Sequence, residues 1–466
     1  MIRRFLRDGA VYFIPTVLTA GVGFVMLPLY TRLLNPGDFG SLDLLVLFSS
    51  IVRLTLPLEV TQAVALFRGD ATPADRDVLT ASAWRFTCAV YVGFVVVAGL
   101  AAVPLSRIVM GRDGLVTEFM VGIVYIALGG LFYFQQSQLR FELRARACAL
   151  VSVAQTFAQL CGAAILAWGL DLGLLGFIGG MTAGMASGVV MATVLLRTSL
   201  RGTFSRAQLR RMLRFSLPLV PSGVAVFVTA SIGRYGLNAW QDLDEVGIYA
   251  LAFRVSGVLL LITGAAQAAL TPLVYARHGE AAARTEVATL LRYFATVMAS
   301  VVVTFALFAP ELLDVVGTDA YARSAQLVGV LAPGVVMAQL YVFFPGPFVA
   351  RRTGLVLAIN AFGACVAAGL VVALVPSEGA TGAGWAALIS SGATLLAYIL
   401  VSQRLWPAPH AWLGLGVLAI VTVGICVAAQ DVREAGPVAS LGAIAVVPVI
   451  ALATRLVRPK ELSRSQ

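Results

Sequence analysis

Arg53 and Glu59 lie in a predominantly apolar stretch, Gly40 to Phe67, with Pro57 between them. As one helix this stretch rises about 1.5 Å per residue and more than covers a hydrocarbon core of ~30 Å, which puts Arg53 past mid-membrane and Glu59 nearer one end. Ionisable residues at such depth are costly and mark a functional site by default. An arginine stays charged and binds phosphate oxygens bidentately, whereas a glutamate can exchange a proton with a pKa that depends on whether an arginine is near. Pro57 lacks an amide donor, which predicts a kink or loosened turn between the two.

The same chemistry recurs along the chain. Arg234 and Arg254 also fall inside apolar runs. With Arg53 they form a set of fixed cations at more than one depth, suited to a membrane-embedded anion such as a lipid pyrophosphate. Asp43 joins Glu59 as a candidate for ion coupling. Gln155 and Gln159, at i and i+4 on one helix face, and Gln267 and Asn360 would supply uncharged polar groups to a cavity. Each of these residues taken singly is equally served by an interhelical hydrogen bond.

The elements that must hold these groups are transmembrane helices. Of 466 residues, 59% are hydrophobic and 12% charged, which specifies an all-α polytopic membrane protein. Apolar windows near 10–31, 40–66, 81–103, 116–138, 149–168 and 171–196 give six helices, and those near 215–238, 246–274, 287–309, 324–349, 354–375 and 381–402 give six more. Two further windows, 411–429 and 437–454, bring the expectation to about 14. The chain therefore divides into a six-helix lobe at 1–196, a basic linker at 197–214, a second six-helix lobe at 215–405, and two extra helices with a basic tail at 406–466. The linker interleaves arginines with Leu200, Phe204, Leu209, Met212 and Leu213, the pattern of an interfacial helix on anionic lipid.

Lysine and arginine outside the windows are split twenty-three to four between alternate sides, the minority being Arg32, Arg107, Arg112 and Arg433. That bias assigns both termini to the cytoplasm and favours an even number of spans. The basic start MIRRFLRDG precedes an apolar run, Ala10 to Tyr30, that is too long for a signal peptide core, so it reads as a retained first span. Asp38-Phe39-Gly40 and Glu245-Val246-Gly247 each stand at a turn leading into the second helix of a six-helix block, 207 residues apart. The repeat is parallel, with an axis along the membrane normal, and rocking of two such halves about a site between them gives alternating access.

Several function classes drop out. The net charge of +10 is spread over short loops and offers no basic face to nucleic acid. The five cysteines include no C-x-x-C pair, and His278 and His410 are far apart, so neither a metal site nor a cofactor is expected. No G-x-x-x-x-G-K-[ST] motif is present, so the chain alone is not an ATPase.

Longer motifs carry a resemblance. FVMLPLYTRLLNPGDFGSLDLLVLF, EVGIYALAFRVSGVLLL, AAQAALTPLVY, APELLDVVGTDAYARSA and GATGAGWAALISS, in this order over residues 10 to 405, resemble the Wzx-type oligosaccharide flippases of the multidrug/oligosaccharidyl-lipid/polysaccharide exporter superfamily. The resemblance implies a two-lobed, V-shaped transporter of the bacterial cytoplasmic (inner) membrane. It would move an undecaprenyl-diphosphate-linked oligosaccharide to the periplasmic leaflet, with an ion gradient resetting the cycle. Arg53, Arg234 and Arg254 are then the candidates for the diphosphate and Glu59 for coupling. Similar proteins often carry Ser-Asp-Arg late in the seventh span, where this chain has Ser231-Ile232-Gly233-Arg234. Expected partners are the lipid-linked saccharide, membrane lipid and other polysaccharide-assembly proteins.

Two alternatives stand beside this reading. A drug or cation antiporter of the same superfamily would favour twelve spans and a more acidic cavity. A membrane glycosyltransferase or polymerase would need an acid/base cluster at an outer loop, and here Asp242, Asp244 and Glu245 crowd one turn without histidine support. The expectation is that the chain is not an enzyme.

Overall fold

The computed structural model describes residues 28, 31–142, 144–264, 266, 267, 270, 280–350, 352–454 and 456. Among them there are helices and no strands. Every apolar window except the first holds helix; the first, 10–31, lies almost wholly outside the described residues. The chain forms two compact units, Met1–Phe227 and Val228–Gln466.

In the first unit, α1 (Pro36–Thr55) starts at Asn35, whose side chain accepts from the Asp38 amide at 2.7 Å, with Pro36 in the first turn where a missing N–H costs nothing. Asp38-Phe39-Gly40 is therefore the first turn of a helix, not the turn before it, because Asn35 caps three residues upstream. After Thr55 the helix breaks, and α2 (Val60–Asp70) continues at 47° to α1. The expected disturbance at Pro57 is this break: Leu58 (φ 50°) and Glu59 (φ 53°) are both left-handed, at a cost of order 1–3 kcal/mol each. α3 (Pro73–Leu100), α4 (Val116–Phe141) and α5 (Ala145–Ala163, ending in a π-turn to Gly169) follow.

α6 (Gly173–Leu195) packs on α5 along a glycine stripe at every fourth residue. A Cβ on Gly176 would come within 2.5 Å of the Ala167 nitrogen, on Gly180 within 2.2 Å of the Ala163 nitrogen, and on Gly184 within 2.6 Å of Gln159 Cβ. Lipid supplies no hydrophobic drive between helices, so close backbone approach at small residues is what holds such a pair. α7 (Arg206–Ser216) is the basic linker helix. It buries Met212 in the core formed with Val60, Val64, Leu79 and Phe134, and its Arg211 guanidinium lies 4.3 Å from the Phe67 ring. Arg206, Arg210 and Arg214 point outward.

α8 (Val220–Trp240) carries the chain into the second unit. There α9 (Leu243–Ser256) repeats the start of α1: Asp242 caps it by accepting from the Glu245 amide at 2.9 Å. α10 (Ala281–Leu307), α11 (Ser324–Met337), α12 (Thr353–Leu405), α13 (Trp412–Val427) and α14 (Pro437–Ala453) complete the unit. α12 is a helical hairpin: its two halves turn back on each other at Gly379, where φ is 56° and ψ −133°, so that the Tyr398 hydroxyl reaches Asn360 Oδ1 at 3.1 Å. The eleventh and twelfth expected spans are thus an antiparallel pair joined by a tight turn.

Candidate functional site

Arg53 sits in the last turn of α1, and its guanidinium lies 5.3 Å from the centre of the Tyr133 ring on α4. It is exposed, and among the described residues it forms no ion pair. The helix break that follows leaves carbonyls at the C-terminal end of α1 without intrahelical partners, where a cation is favoured. Glu59 is half-buried at the other side of the break. Two groups of opposite charge therefore flank a strained, non-helical segment within one span. Asp43 lies deeper in α1, only 3% exposed and engaged by a neighbour.

The second unit repeats part of this design. Arg254 occupies the last turn of α9, and the helix is interrupted directly after it at Gly257 and Val258 before helix resumes at Leu259. The second span and its counterpart, the eighth, thus both break immediately beyond an arginine. Arg234, on α8, is 6% exposed; its guanidinium lies 4.2 Å from the Phe253 ring and 5.9 Å from the Tyr249 ring, and Nη2 donates to the Ala230 carbonyl at 3.1 Å. In this conformation Arg234 is covered by aromatic rings while Arg53 is open.

The uncharged candidates are tied into the packing. Gln155 donates to Gln159 at 2.9 Å along one face of α5, against Gly184 of α6. Gln267 donates to Gln339 Oε1 at 2.7 Å, and Asn360 Oδ1 accepts from the Tyr398 hydroxyl at 3.1 Å, beside Tyr341 and Phe348. Among the described residues no cluster of His, Cys, Asp and Glu could hold a metal ion. His278 lies outside the described residues.

Two features escaped the reading of residue types. Tyr133 stands among Phe132, Phe134, Gln135 and Gln136, and a ring at the edge of a glutamine-rich turn was the available signal. Glu142 follows α4 and ties three segments together: Arg68 at 3.6 Å, Arg144 at 3.3 Å, and the Ser199 hydroxyl, which donates to it at 2.7 Å.

A family model described as polysaccharide biosynthesis protein matches residues 29–326, more than half of the chain. The chain belongs to this family. No curated protein sequence matches it. Among solved structures, the lipid II flippase MurJ in an inward closed conformation has a TM-score of 0.75 over 96% of this chain and 98% of its own, at 9% identity. An inward-facing multidrug resistance MATE transporter of the MOP superfamily has a TM-score of 0.69 over 83% of this chain and 94% of its own, at 16% identity. A MATE protein in the straight conformation has a TM-score of 0.61 over 85% and 95%, at 18% identity. At these identities what is shared is the fold. This member of the polysaccharide biosynthesis family is a multi-pass membrane protein with the helical architecture of transporters and flippases, in agreement with the resemblance carried by its sequence motifs.

Proposed function

We propose that the chain flips an undecaprenyl-diphosphate-linked oligosaccharide from the cytoplasmic to the periplasmic leaflet by alternating access, coupled to an ion gradient, in cell-surface polysaccharide synthesis. The observation that carries this reading is Arg53: an exposed guanidinium beside a tyrosine ring, with no salt bridge among the described residues, in a span of a polysaccharide-biosynthesis family member. A fixed cation in that setting is a receptor for an anion whose lipid chain remains in the bilayer. Arg254, at the corresponding helix break, and Arg234, once uncovered, are its proposed partners for the diphosphate. Glu59 and Asp43 are the proposed coupling groups, and Gln155, Gln159, Gln267 and Asn360 are held to shape the polar surroundings. The relatives found are transporters and flippases, which supports transport without covalent chemistry.

The likeness to a multidrug resistance MATE transporter favours one further reading, a drug or cation antiporter. One experiment separates the two. Vesicles reconstituted with purified protein and a labelled diphosphate-linked saccharide should show leaflet exchange that depends on Arg53. Transport of a cationic dye with no exchange of the saccharide lipid would replace the flippase reading by the antiporter one.

A further inference from the structure

The second unit holds a cavity, lined by both apolar and polar side chains, that the arginine set does not use. It has a volume of about 640 Å³ and opens between α11, the second half of α12, the end of α13 and the short helix Ala429–Glu434. Its size falls in the roughly 300–1,000 Å³ range of ligand sites. Trp385 of α12 lines it, half-buried. A relay of planar groups runs along the rim: Gln326 donates to Gln430 Oε1 at 3.1 Å, and Gln430 donates to Glu434 Oε1 at 3.1 Å. Arg433, also in the lining, is paired with Glu311 at 2.7 Å. Beyond a ridge of Pro310, Ala322 and Ala325, which both cavities share, a second cavity of about 320 Å³ is lined by Asp314, Asp319 and Tyr321.

An indole set among Leu327, Val330 and Val427 and bordered by amides, a carboxylate and a guanidinium is a mixed surface, better suited to a ligand with both apolar and polar faces than to an acyl chain. It matches a pyranose. The C–H face of the sugar covers the ring, and adjacent hydroxyls exchange hydrogen bonds with planar groups that accept and donate side by side. The charge is also selective. Arg433 is answered by Glu311, so Glu434, Asp314 and Asp319 leave the two cavities acidic, which disfavours uronate or sulfated sugars.

We propose that this cavity is a saccharide subsite, separate from the arginines, that takes neutral sugar units of the cargo glycan and extends along the adjoining cavity to a neighbouring unit. The proposal rests on the flippase reading. The Lys/Arg asymmetry assigns this end of the unit to the outside, so the subsite would receive the glycan after translocation.

The test uses the full chain in nanodiscs and lipid-free tetrasaccharides built from glucose, galactose, mannose or N-acetylglucosamine, with a glucuronate-containing counterpart, read by saturation-transfer NMR. The expected result is saturable binding of at least one neutral tetrasaccharide, at least about tenfold weaker binding of the glucuronate form, and a loss of about tenfold in Trp385→Ala and in Gln430→Ala. Thermal melting checks that each variant is folded, and Gln430→Ala, at an exposed position, serves if Trp385→Ala is not. Absence of binding by every neutral tetrasaccharide, equal binding of the glucuronate form, or binding unchanged in the folded variants overturns the proposal. Intact leaflet exchange of a saccharide lipid without free-saccharide binding rejects the subsite alone. Binding without exchange of any saccharide lipid rejects the flippase reading instead.

Discussion

The Glu245 carboxylate accepts a hydrogen bond from the Ala380 amide at 2.9 Å, immediately after the Gly379 bend in α12. A helix that restarts after a bend has amides without partners, and a carboxylate there acts as an N-cap for its second half. Arg323 pairs with the same carboxylate, and Gln241 donates to the Val375 and Pro376 carbonyls on the other side of the bend at 3.0 and 3.2 Å. The first unit uses the corresponding acid differently: Asp38 pairs with Arg112 at 2.8 Å. The repeated acid thus anchors an arginine in both units and has the additional task of closing a helix bend in the second.

Glu245→Ala leaves both the Ala380 amide and Arg323 without their acceptor, and is expected to destabilise the protein by about 1–3 kcal/mol. Thermal melting of the purified protein in detergent measures this. Glu245→Gln, which still accepts from the amide but not as an ion pair, should lose less. Equal melting of the wild-type protein and both variants would remove the capping role.

The glycine stripe of α6 can be probed against an internal control. Gly180→Ala drives a methyl into the Ala163 backbone and is expected to cost about 1–3 kcal/mol, seen as aggregation in size-exclusion chromatography. Gly99→Ala in α3 has nothing within 4 Å of the added methyl and should elute as the wild type does.

Arg53→Ala should fold normally, since the side chain is exposed, and reduce leaflet exchange of a diphosphate-linked saccharide by about tenfold to a hundredfold, the worth of a charge-assisted hydrogen bond of ~1.5–3 kcal/mol. Arg53→Lys keeps the charge without the bidentate fork and should fall between the two. Exchange at the wild-type rate in Arg53→Ala, at equal protein level, would remove Arg53 from the site.

Glu59 combines a carboxylate with a left-handed backbone, and two substitutions separate them. Glu59→Gln keeps the backbone demand and should abolish dependence of exchange on an ion gradient. Glu59→Gly removes the carboxylate while meeting φ 53° without strain, so it should fold at least as well and show the same loss of coupling. Retained gradient dependence in both would make Glu59 a structural residue.

His410 lies in the loop between α12 and α13, 8% exposed, with ring centres 5.2 Å from Phe344 and 4.9 Å from Trp412. Burial lowers its pKa from 6.5 to about 4. The unfolded chain therefore takes up the proton first, so the stability gained from the neutral ring is complete above pH 6.5 and declines as pH falls from there toward 4. Melting temperatures compared at pH 7 and pH 5 should drop for the wild-type protein by more than for His410→Phe.

Much of the architecture was legible because membrane solvation acts on each segment separately. Twenty consecutive apolar residues between basic loops must form a helix wherever they end up, so thirteen helical regions could be placed by composition. The repeated acid was legible as a spacing of 207 residues, though its turn proved to be a helix start, since capping depends on the side-chain geometry of Asn35 and Asp242. Pro57 announced a disturbance without revealing that Leu58 and Glu59 would absorb it in left-handed conformation.

The sequence by itself determined the class of the protein and which ionisable residues lie within its apolar spans, because hydropathy and charge are properties of the residues themselves. Only the tertiary structure decided what each charge meets: an open position beside Tyr133 for Arg53, cover by Phe253 and Tyr249 for Arg234, and a helix bend for Glu245. Exposure and partnership arise from helices that approach across long sequence separations, and no local pattern encodes which face of a span its neighbours will cover.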